Sequence, residues 1–436
     1  MIAGSSDLLQ WHDGLAPGHT RDADGGLRLG GILASDLARA YGTPVLVLDY
    51  GVLDAAIAEF SEACAPHRID VAYAGKALLL TALARRLKET PLELDICSLG
   101  ELVTAERAGF PARRLTLHGC GKPDAELDAV AAGRVGTIVA DSLEEIGRLA
   151  ARASAAAPIR TILRVNTGIE AHTHAFVRTG GDNTKFGVPS RQLDDAMAAL
   201  KAAPGLRFAG LHSHIGSQIY DAAAFVENVR ALVGLAARFH RAGLTSEKLI
   251  VGGGFGVQTD PAGERTVPIP QTIAAIADAM DRSVRDAGIP PVRIGIEPGR
   301  ALIARAGTSL YTVMARKRQE SRTFVVVDGG LADNPRPALY HAHHQVVAAA
   351  SADAADPVAI CGRSCENDFM GDASLPADLA AGDLVAMCTT GAYTYSMASN
   401  YNRFAKPTVV AIENGTHAPI ARRQTLDEVL GLDCDT

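Results

Sequence analysis

The stretch VAYAGKALLLTALARRLKET, residues 71–90, predicts one complete strand–helix unit. Its first six residues, Val71–Lys76, form a short apolar run that is typical of a buried strand. Four leucines then recur at helical spacing, so Ala77–Thr90 is predicted to be a helix with one apolar face. A buried strand followed by a helix is the repeating unit of α/β proteins, so this stretch sets the expected fold class.

The same alternation of apolar strand and helical segment continues through the first two thirds of the chain. Two of the predicted helices begin with capping boxes, Ser98-x-x-Glu101 and Ser142-x-x-Glu145. Eight strand–helix units in series predict an α/β fold with a closed (β/α)8 TIM-type barrel, and an open doubly wound sheet is the structural alternative. The strand candidates are Val71–Lys76, Leu92–Ile96, Leu115–His118, Thr137–Asp141, Thr161–Asn166, Arg207–Ser213, Lys248–Gly252 and Val292–Glu297.

The pattern changes after about residue 305, where short β-branched segments alternate with Gly, Asp and Pro turns and predict an all-β domain. The stretch before Leu46 has no barrel signature and is expected to join that domain. The predicted organisation is an N-terminal segment over 1–45 that joins the β domain, a barrel over 46–305, and a C-terminal β-barrel or sandwich domain over 306–436. The predicted C-terminal strands are Thr308–Ala315, Thr323–Asp328, Pro357–Cys361, Leu384–Met387 and Thr408–Ile412.

Composition and charge argue against several classes of partner. The 436 residues are 47% hydrophobic and 21% charged, which is ordinary for a globular protein. A net charge of −7 without a basic run gives no reason to expect nucleic acid. The N-terminus lacks the features of a secretory signal, and the apolar runs are too short to span a membrane. Seven cysteines, an odd number without a CxxC pair, indicate reduced thiols and a cytoplasmic location.

Polar side chains collect at the predicted carboxyl ends of the strands, where barrel enzymes place their reactive groups. Lys76 ends an apolar strand, so it is expected inside the barrel mouth, where desolvation would make its amine a nucleophile suited to a Schiff base. For this residue alone, a lysine that extends to solvent is the alternative. The full set is Lys76, Asp95, His118, Asn166, His212, Ser213, His214, Gly252–Gly256 and Glu297.

Two glycine-containing turns predict a phosphate site. GGGFG (252–256) and EPGR (297–300) follow the seventh and eighth strands, in the loops that bind phosphate in many barrels. Glycines let backbone N–H groups converge on an anion, and Arg300 can add a positive charge. With a nucleophilic lysine opposite, these turns predict a cofactor that carries a phosphate and an aldehyde. Glu297 would lie near a pyridine nitrogen and His214 could stack on the ring, or each could be a satisfied polar group at the barrel rim.

Three His-x-His pairs, 172/174, 212/214 and 341/343, raise a different class, a metal-dependent amidohydrolase barrel. That class would carry its pair at the end of the first strand. Here the first strand ends in lysine and the pairs come later in the chain, which disfavours the metal enzyme.

Several long, irregular motifs resemble those of a known family. They match, in order and over nearly the whole chain, the diaminopimelate decarboxylase family of fold-type III enzymes, which use pyridoxal 5'-phosphate. The resemblance implies an alanine racemase-like barrel with a β domain, and a homodimer whose active sites are shared across the interface. The matching segments are YAGKAL (73–78), HTHAFVRTGGDNTKFGVP (172–189), GLHSHIGSQI (210–219), GGGFG (252–256), EPGRALIARAG (297–307), DGGLADNPRPALYHA (328–342) and GAYTYSMASNYN (391–402).

The resemblance also implies roles for individual residues. Lys76 is implied to bind the cofactor covalently with Asp95 near it, while His214 stacks on the ring and Glu297 pairs with the pyridine nitrogen. Cys365, in GRSCEND, is implied to be the acid that protonates the product, donated by the partner subunit. Phosphate contacts are implied for Ser217, Gly254, Gly256, Gly299, Arg300 and Tyr393, and substrate contacts for Arg300, Arg336, Tyr340, Glu366 and Tyr393.

The expected reaction is the decarboxylation of an amino acid. The leading case is meso-diaminopimelate, which would give L-lysine and CO₂ in lysine biosynthesis. A racemase is less well matched, because that class tends to place arginine at the pyridine nitrogen and this chain offers Glu297.

Three departures from the family pattern leave the substrate open. Leu78 stands where the family usually has Asn, and HGCGK (118–122) stands where it has HGNNK. CENDF (365–369) replaces CESGD, so Asn367 and Asp368 are expected to add bulk and a further negative charge beside Glu366. A related decarboxylase is therefore the alternative, acting on ornithine, lysine, or a siderophore or antibiotic intermediate that is free or carrier-tethered.

Overall fold

The computed structural model of the chain describes residues 7–169, 184–352 and 355–434. The chain forms two compact units. The barrel unit comprises residues 59–256 and 266–299, and the sheet unit comprises the residues up to 58, residues 257–265 and the residues from 300 onward.

The strands carry the labels used below. In chain order they are β1 (His19–Arg21), β2 (Leu27–Leu29), β3 (Ile32–Leu33), β4 (Val45–Asp49), β5 (Ile69–Ala74), β6 (Glu93–Ile96), β7 (Leu115–Leu117), β8 (Thr137–Ala140), β9 (Ile159–Arg164), β10 (Leu206–His212), β11 (Lys248–Ile250), β12 (Arg293–Ile296), β13 (Gly307–Arg318), β14 (Thr323–Val327), β15 (Val346–Ala348), β16 (Ala355–Cys361), β17 (Phe369–Pro376), β18 (Leu384–Met387), β19 (Thr408–Glu413) and β20 (Thr416–Ala421).

Helices connect most of the barrel strands. Among the residues that the structure describes, no helix is long and apolar enough to cross a membrane. The α-helices are α1 (Ala34–Tyr41), α2 (Tyr50–Cys64), α3 (Thr81–Lys88), α4 (Leu99–Arg107), α5 (Asp124–Ala131), α6 (Leu143–Ala150), α7 (Leu193–Ala202), α8 (Ala222–Arg241), α9 (Ile269–Ala287), α10 (Arg300–Ile303), α11 (Arg336–Tyr340) and α12 (Leu426–Leu430).

The barrel unit contains the closed sheet that the sequence predicts. Strands β5–β12 run parallel around the ring, and β12 pairs with β5 to close it. Each of the eight strands lies within two residues of its predicted position. Val139, Ile162, Ala209 and Ile250, from four neighbouring strands, form one buried apolar cluster. The predicted (β/α)8 barrel is confirmed, and its parallel strands bring their carboxyl ends to one rim.

The sheet unit is built around a sheet in the order β17-β16-β14-β13-β4-β19-β20, with β18 pairing with β13 and β15. The predicted C-terminal all-β region is confirmed. The small sheet of β1–β3 packs onto it, because Leu27 and Leu29 share a buried cluster with Leu310 and Val410.

The two units divide the chain at places other than the predicted boundaries after residues 45 and 305. Val45–Asp49 is β4, which pairs with β13 and β19 in the sheet unit. An apolar run such as VLVLD suits either a barrel strand or a central strand of another sheet, and only its pairing partners distinguish the two. The predicted bounds of the folding domains, 1–45, 46–305 and 306–436, stay predictions.

Each of the two predicted capping boxes forms in one direction. Ser98 and Ser142 accept hydrogen bonds from the backbone N–H of the glutamate three residues later, at 3.1 and 3.2 Å, and α4 and α6 begin there. The glutamates have other partners: Glu101 accepts from the Cys97 N–H at 2.7 Å, and Glu145 binds Lys122 at 2.6 Å. The predicted helix starts are confirmed. The second hydrogen bond of a capping box, from the serine N–H to the glutamate side chain, was predicted wrongly.

The buried Lys122–Glu145 pair is expected to stabilise the barrel unit. Lys122 is 2% exposed, and its Nζ also donates to the carbonyls of Gly119 and Val139 at 2.6 and 2.8 Å. Lys122→Met leaves Glu145 buried without its cation, so it should lower the free energy of unfolding by about 3–5 kcal/mol. Urea denaturation measures the loss. Lys122→Met with Glu145→Leu removes both charges and should recover most of it; a single variant as stable as the parent protein would show that the pair is dispensable.

Candidate active site

Lys76 lies in a short 3-10 turn, Gly75–Ala77, directly after β5. The strand ends at Ala74, so the expected position of Lys76 at the strand end is wrong by two residues. The turn packs closely on β6, because a Cβ at Gly75 would lie 2.8 Å from the carbonyl oxygen of Asp95. Lys76 is exposed, so the expectation of a desolvated amine is also wrong. Its amine is accessible to a reagent that enters from solvent.

Four strand ends bring Asp95, His118, His212 and Glu297 together. His212 Nε2 lies 2.9 Å from Glu297 Oε2, and His118 Nε2 lies 3.3 Å from Glu297 Oε1 and 3.4 Å from Asp95 Oδ1. The two imidazole rings meet edge to face, with 5.1 Å between their centroids. These four side chains are called the carboxylate–histidine cluster below.

The negative charge of this cluster is concentrated on Glu297. Burial lowers the pKa of His118 and of His212 to about 4, so both imidazoles are neutral at pH 7. Burial alone would raise the pKa of Glu297, but His212 and His118 together bring it below its usual range. Burial and then the charge of Glu297 raise the pKa of Asp95 well above its usual range, which favours a neutral carboxyl there.

His214 lies beside the glycine turn that follows β11. Its Nδ1 accepts a hydrogen bond from the Gly253 N–H at 3.2 Å, so the ring proton belongs on Nε2. Burial and then Lys76 lower the pKa of His214 well below its usual range. A neutral imidazole fixed by the backbone is suited to contact the face of an aromatic ring.

The four glycines of the turn Gly252–Gly256 stand where a side chain would clash. Gly254 has φ +93°, and a Cβ there would lie 2.2 Å from the carbonyl oxygen of Gly216, while a Cβ at Gly256 would lie 2.5 Å from the Tyr220 ring. Hydrogen bonds of 2.9 Å in both directions between Ile219 and this turn hold it against the loop that carries Ser217. The glycines therefore allow the turn to pack closely on the 216–220 loop.

The barrel residues fit pyridoxal phosphate. Glu297 Oε1 is buried and has no hydrogen-bond partner among the residues that the structure describes, and a protonated ring nitrogen would supply a donor. The exposed Lys76 and the glycine-rich turn suit the aldehyde and the phosphate. Gly299 also packs closely, since a Cβ there would lie 3.0 Å from the Ala74 side chain.

In the sheet unit, two buried arginines gather around tyrosines. The Cζ of Arg300 lies 4.8 Å from the ring centroid of Tyr393, and that of Arg336 lies 5.2 Å from Tyr340 and 5.6 Å from Tyr393. Burial and then the charge of Arg300 lower the pKa of Arg336 to about 9. Arg336 Nε is buried and has no hydrogen-bond partner within the described ranges. Two close cations against aromatic faces favour an anionic ligand.

The Cys365 loop also belongs to the sheet unit. Cys365 and Glu366 are exposed, and the Tyr401 hydroxyl donates to Glu366 Oε1 at 2.6 Å. Asp368 is only 5% exposed, and its Oδ1 accepts from the Leu331 N–H at 2.7 Å. The expectation that Asp368 adds a charge beside Glu366 is therefore wrong, because its carboxylate is used inside the sheet unit. Asn367 is exposed, as expected.

The His-x-His pairs do not converge within the described part of the chain. His172 and His174, with most of the 172–189 motif, lie outside the described residues, and His341 and His343 are exposed. One group could hold a metal ion: His118, His212 and Glu297 offer ligand atoms within 4.8 Å of one another. This group includes His212 of the 212/214 pair. It also includes Glu297, which is expected to contact the cofactor ring.

Comparison with known proteins identifies the family. The family model described as "Pyridoxal-dependent decarboxylase, pyridoxal binding domain" matches residues 51–304. A diaminopimelate decarboxylase from Actinosynnema pretiosum subsp. auranticum is 41% identical, with 96% of this chain and 94% of the relative covered. The chain belongs to the pyridoxal-dependent decarboxylase family. Another relative, the diaminopimelate decarboxylase of Mycobacterium leprae, is 39% identical over 99% of this chain and 95% of its own.

A solved structure of this family has the same fold. Diaminopimelate decarboxylase from M. jannaschii, solved in co-complex with L-lysine, superimposes with a TM-score of 0.86 at 27% identity, covering 96% of this chain and 98% of that one. The predicted fold class, the pyridoxal phosphate cofactor and the decarboxylase activity are confirmed. The metal-dependent amidohydrolase alternative is wrong, because the barrel belongs to the pyridoxal-dependent decarboxylase family.

Sequence reasoning missed the partners of Glu297. His118 and His212 were recognised as polar groups at strand ends, but no local pattern shows that both face one carboxylate. His344 was missed as well: it is buried, its Nδ1 donates to the Cys388 carbonyl at 3.1 Å, and burial, then Arg336, lower its pKa to about 3. Of the nearby arginines, Arg300 was predicted from its turn after the eighth strand, and Arg336 only through the family resemblance.

Proposed function

We propose that this enzyme decarboxylates meso-diaminopimelate to L-lysine and CO₂ in lysine biosynthesis. The observation that carries the substrate assignment is the buried arginine pair of the sheet unit, Arg300 and Arg336. A diaminopimelate substrate has a second carboxylate far from the reacting carbon, and such a group would satisfy both cations. The relatives that match nearly the full length of the chain carry the same activity in their names.

The barrel residues are proposed to hold the cofactor. Lys76 is the residue that joins the aldehyde, His214 contacts the ring face, and Glu297 pairs with the ring nitrogen with Asp95 beside it. When bound, pyridoxal phosphate accepts the electron pair that the departing CO₂ leaves behind. The phosphate is proposed to contact Ser217, Gly254, Gly256, Gly299, Arg300 and Tyr393.

The sheet-unit residues are proposed to bind the substrate and deliver a proton. Arg300, Arg336, Tyr340 and Tyr393 form the anion-binding cluster described above, and the exposed Glu366 is suited to a distal ammonium. Cys365 is proposed to protonate the α-carbon after CO₂ leaves, because that step needs a positioned acid.

The enzyme is proposed to be a cytoplasmic homodimer with shared active sites. All seven cysteines are free thiols, which suits a reducing compartment. Cys365 is exposed, as expected of a group that one subunit donates to the site of the other.

A substrate panel tests the proposed activity. Release of CO₂ from meso-diaminopimelate, with L-lysine identified by mass spectrometry, should exceed release from lysine, ornithine and arginine by about 10²-fold or more. The reason is that a ligand without a distal carboxylate leaves Arg336 buried without an anion. A better rate with lysine or ornithine, or none with diaminopimelate, would instead favour the specialised relative, with Asn367 as the first residue to examine.

Two variants, one at a buried arginine and one at an exposed arginine, test whether activity on diaminopimelate depends on the buried pair. Arg336→Leu should lower kcat/KM for diaminopimelate about 10²- to 10³-fold, because one charged partner of the distal carboxylate is lost. Arg39→Leu, which changes an exposed arginine of the same unit, should leave it unchanged. An Arg336→Leu enzyme with the parent preference for diaminopimelate would contradict the assignment.

A further inference from the structure

His118 and His212 have no role in the proposed chemistry, although both contact the same carboxylate. His212 is the last residue of β10, His118 directly follows β7, and Glu297 directly follows β12. His212 is 1% exposed, and its Nε2 lies 2.9 Å from Glu297 Oε2. Three separate strands therefore contribute to fixing one carboxylate at the barrel rim.

The hydrogen bond of His212 has a definite direction. Glu297 is an acceptor when ionised, so His212 Nε2 carries the proton and donates it. His212 Nδ1 is buried and has no partner among the described residues. Among the described residues, the hydrogen bond from Nε2 to Glu297 is therefore the only one that the His212 imidazole makes.

His118 lies close to both carboxyl groups of the carboxylate–histidine cluster. Its Nε2 lies 3.3 Å from Glu297 Oε1 and 3.4 Å from Asp95 Oδ1, but neither contact has the geometry of a hydrogen bond. It therefore contacts both carboxyl groups while leaving Glu297 Oε1 able to accept from another donor.

We infer that His212 is a positioning residue that keeps Glu297 as a fixed carboxylate with Oε1 free to pair with the ring nitrogen of the cofactor. The inference rests on the proposed function only in assigning the cofactor contact to Glu297. Without the His212 donor, burial favours a protonated Glu297. A neutral Glu297 would not hold a proton on the ring nitrogen, and the ring would then be a weaker electron acceptor.

The test uses holoenzyme loaded with pyridoxal phosphate that is ¹⁵N-labelled in the ring. The ¹⁵N resonance reports directly whether the nitrogen is protonated. In His212→Leu the resonance should move from the protonated position toward that of an unprotonated pyridine. His212→Gln places an amide N–H donor near the original Nε2 and should keep the parent position. His67→Leu, which changes an exposed histidine of the same unit, is the control and should also keep it.

Decarboxylation provides a second readout. His212→Leu should lower kcat about 10- to 100-fold, the loss expected for one hydrogen bond to a charged group, while His212→Gln should stay within about threefold. A His212→Leu enzyme with the parent ¹⁵N position would overturn the inference, and so would a Gln variant that behaves like the Leu variant. If His212→Leu does not fold, His212→Met, which also removes the Nε2 donor, takes its place in the comparison with His212→Gln.

The ¹⁵N test of His212 does not depend on which substrate the enzyme uses. The ¹⁵N measurement is made without substrate, so failure of diaminopimelate as a substrate leaves it unaffected. A protonated nitrogen that is lost in Glu297→Gln and kept in His212→Leu would show that Glu297 contacts the ring without help from His212, which contradicts the inference but leaves the proposed function in place.

Discussion

Lys76→Ala protein is expected to lose both the borohydride-fixed cofactor label and decarboxylase activity. Lys76 is the exposed residue of the turn after β5, where its amine can reach an aldehyde. Removing a residue that forms a covalent bond in catalysis typically lowers kcat by about 10³-fold or more. Peptide mapping after reduction of the parent holoenzyme should place the label on Lys76, and a CO₂-release assay gives the activity.

Lys201→Ala is the matched control for this prediction. Lys201 is an exposed lysine near the end of α7, so its loss should change neither the label nor the rate. A label that maps to another lysine, or a Lys76→Ala enzyme with most of its activity, would remove the central assignment. Circular dichroism of the variant distinguishes loss of the amine from loss of the fold.

The barrel could be predicted because its signals are local. Each strand is a short apolar run and each helix has its own apolar face, so eight repeats predict the closed barrel before any contact is known, with the open doubly wound sheet as the alternative. Val45–Asp49 shows the limit of that reasoning. All but the last of its residues are buried, as in a barrel strand, yet it pairs with β13 and β19 because strand pairing depends on residues more than 200 positions away.

The candidate site could be predicted only in part for the same reason. Lys76, His214 and Glu297 stand at strand ends, which sequence reading locates to within two residues. His118 and His212 contact Glu297 from other strands of the barrel, and no local sequence pattern predicts such contacts. Asp368 shows the opposite error, since a charge next to Glu366 in the sequence points into the sheet unit in the structure.

Cys365→Ala is expected to slow turnover while leaving the cofactor spectrum intact. Removing a general acid typically lowers the rate by about 10²- to 10⁴-fold, because the carbanion must then wait for a proton from water. The matched control is Cys434→Ala, which changes another exposed thiol of the sheet unit and should have no effect. A Cys365→Ala enzyme that fails to bind substrate, as judged by the change in its absorbance on mixing, would contradict the assigned role.

Subunit exchange then tests whether the acid comes from the partner. In a homodimer with shared sites, a hybrid of a Cys365→Ala chain and a Lys76→Ala chain has one site with both groups and one site with neither. Random pairing of equal amounts gives hybrids as half of all dimers, so about one quarter of the parent activity should return when the two inactive proteins are co-expressed. If each site were made by a single chain, every site would lack one group and no activity would return. The exposed position of Cys365 favours the first outcome, because a thiol on the surface of its own chain can serve a neighbouring one.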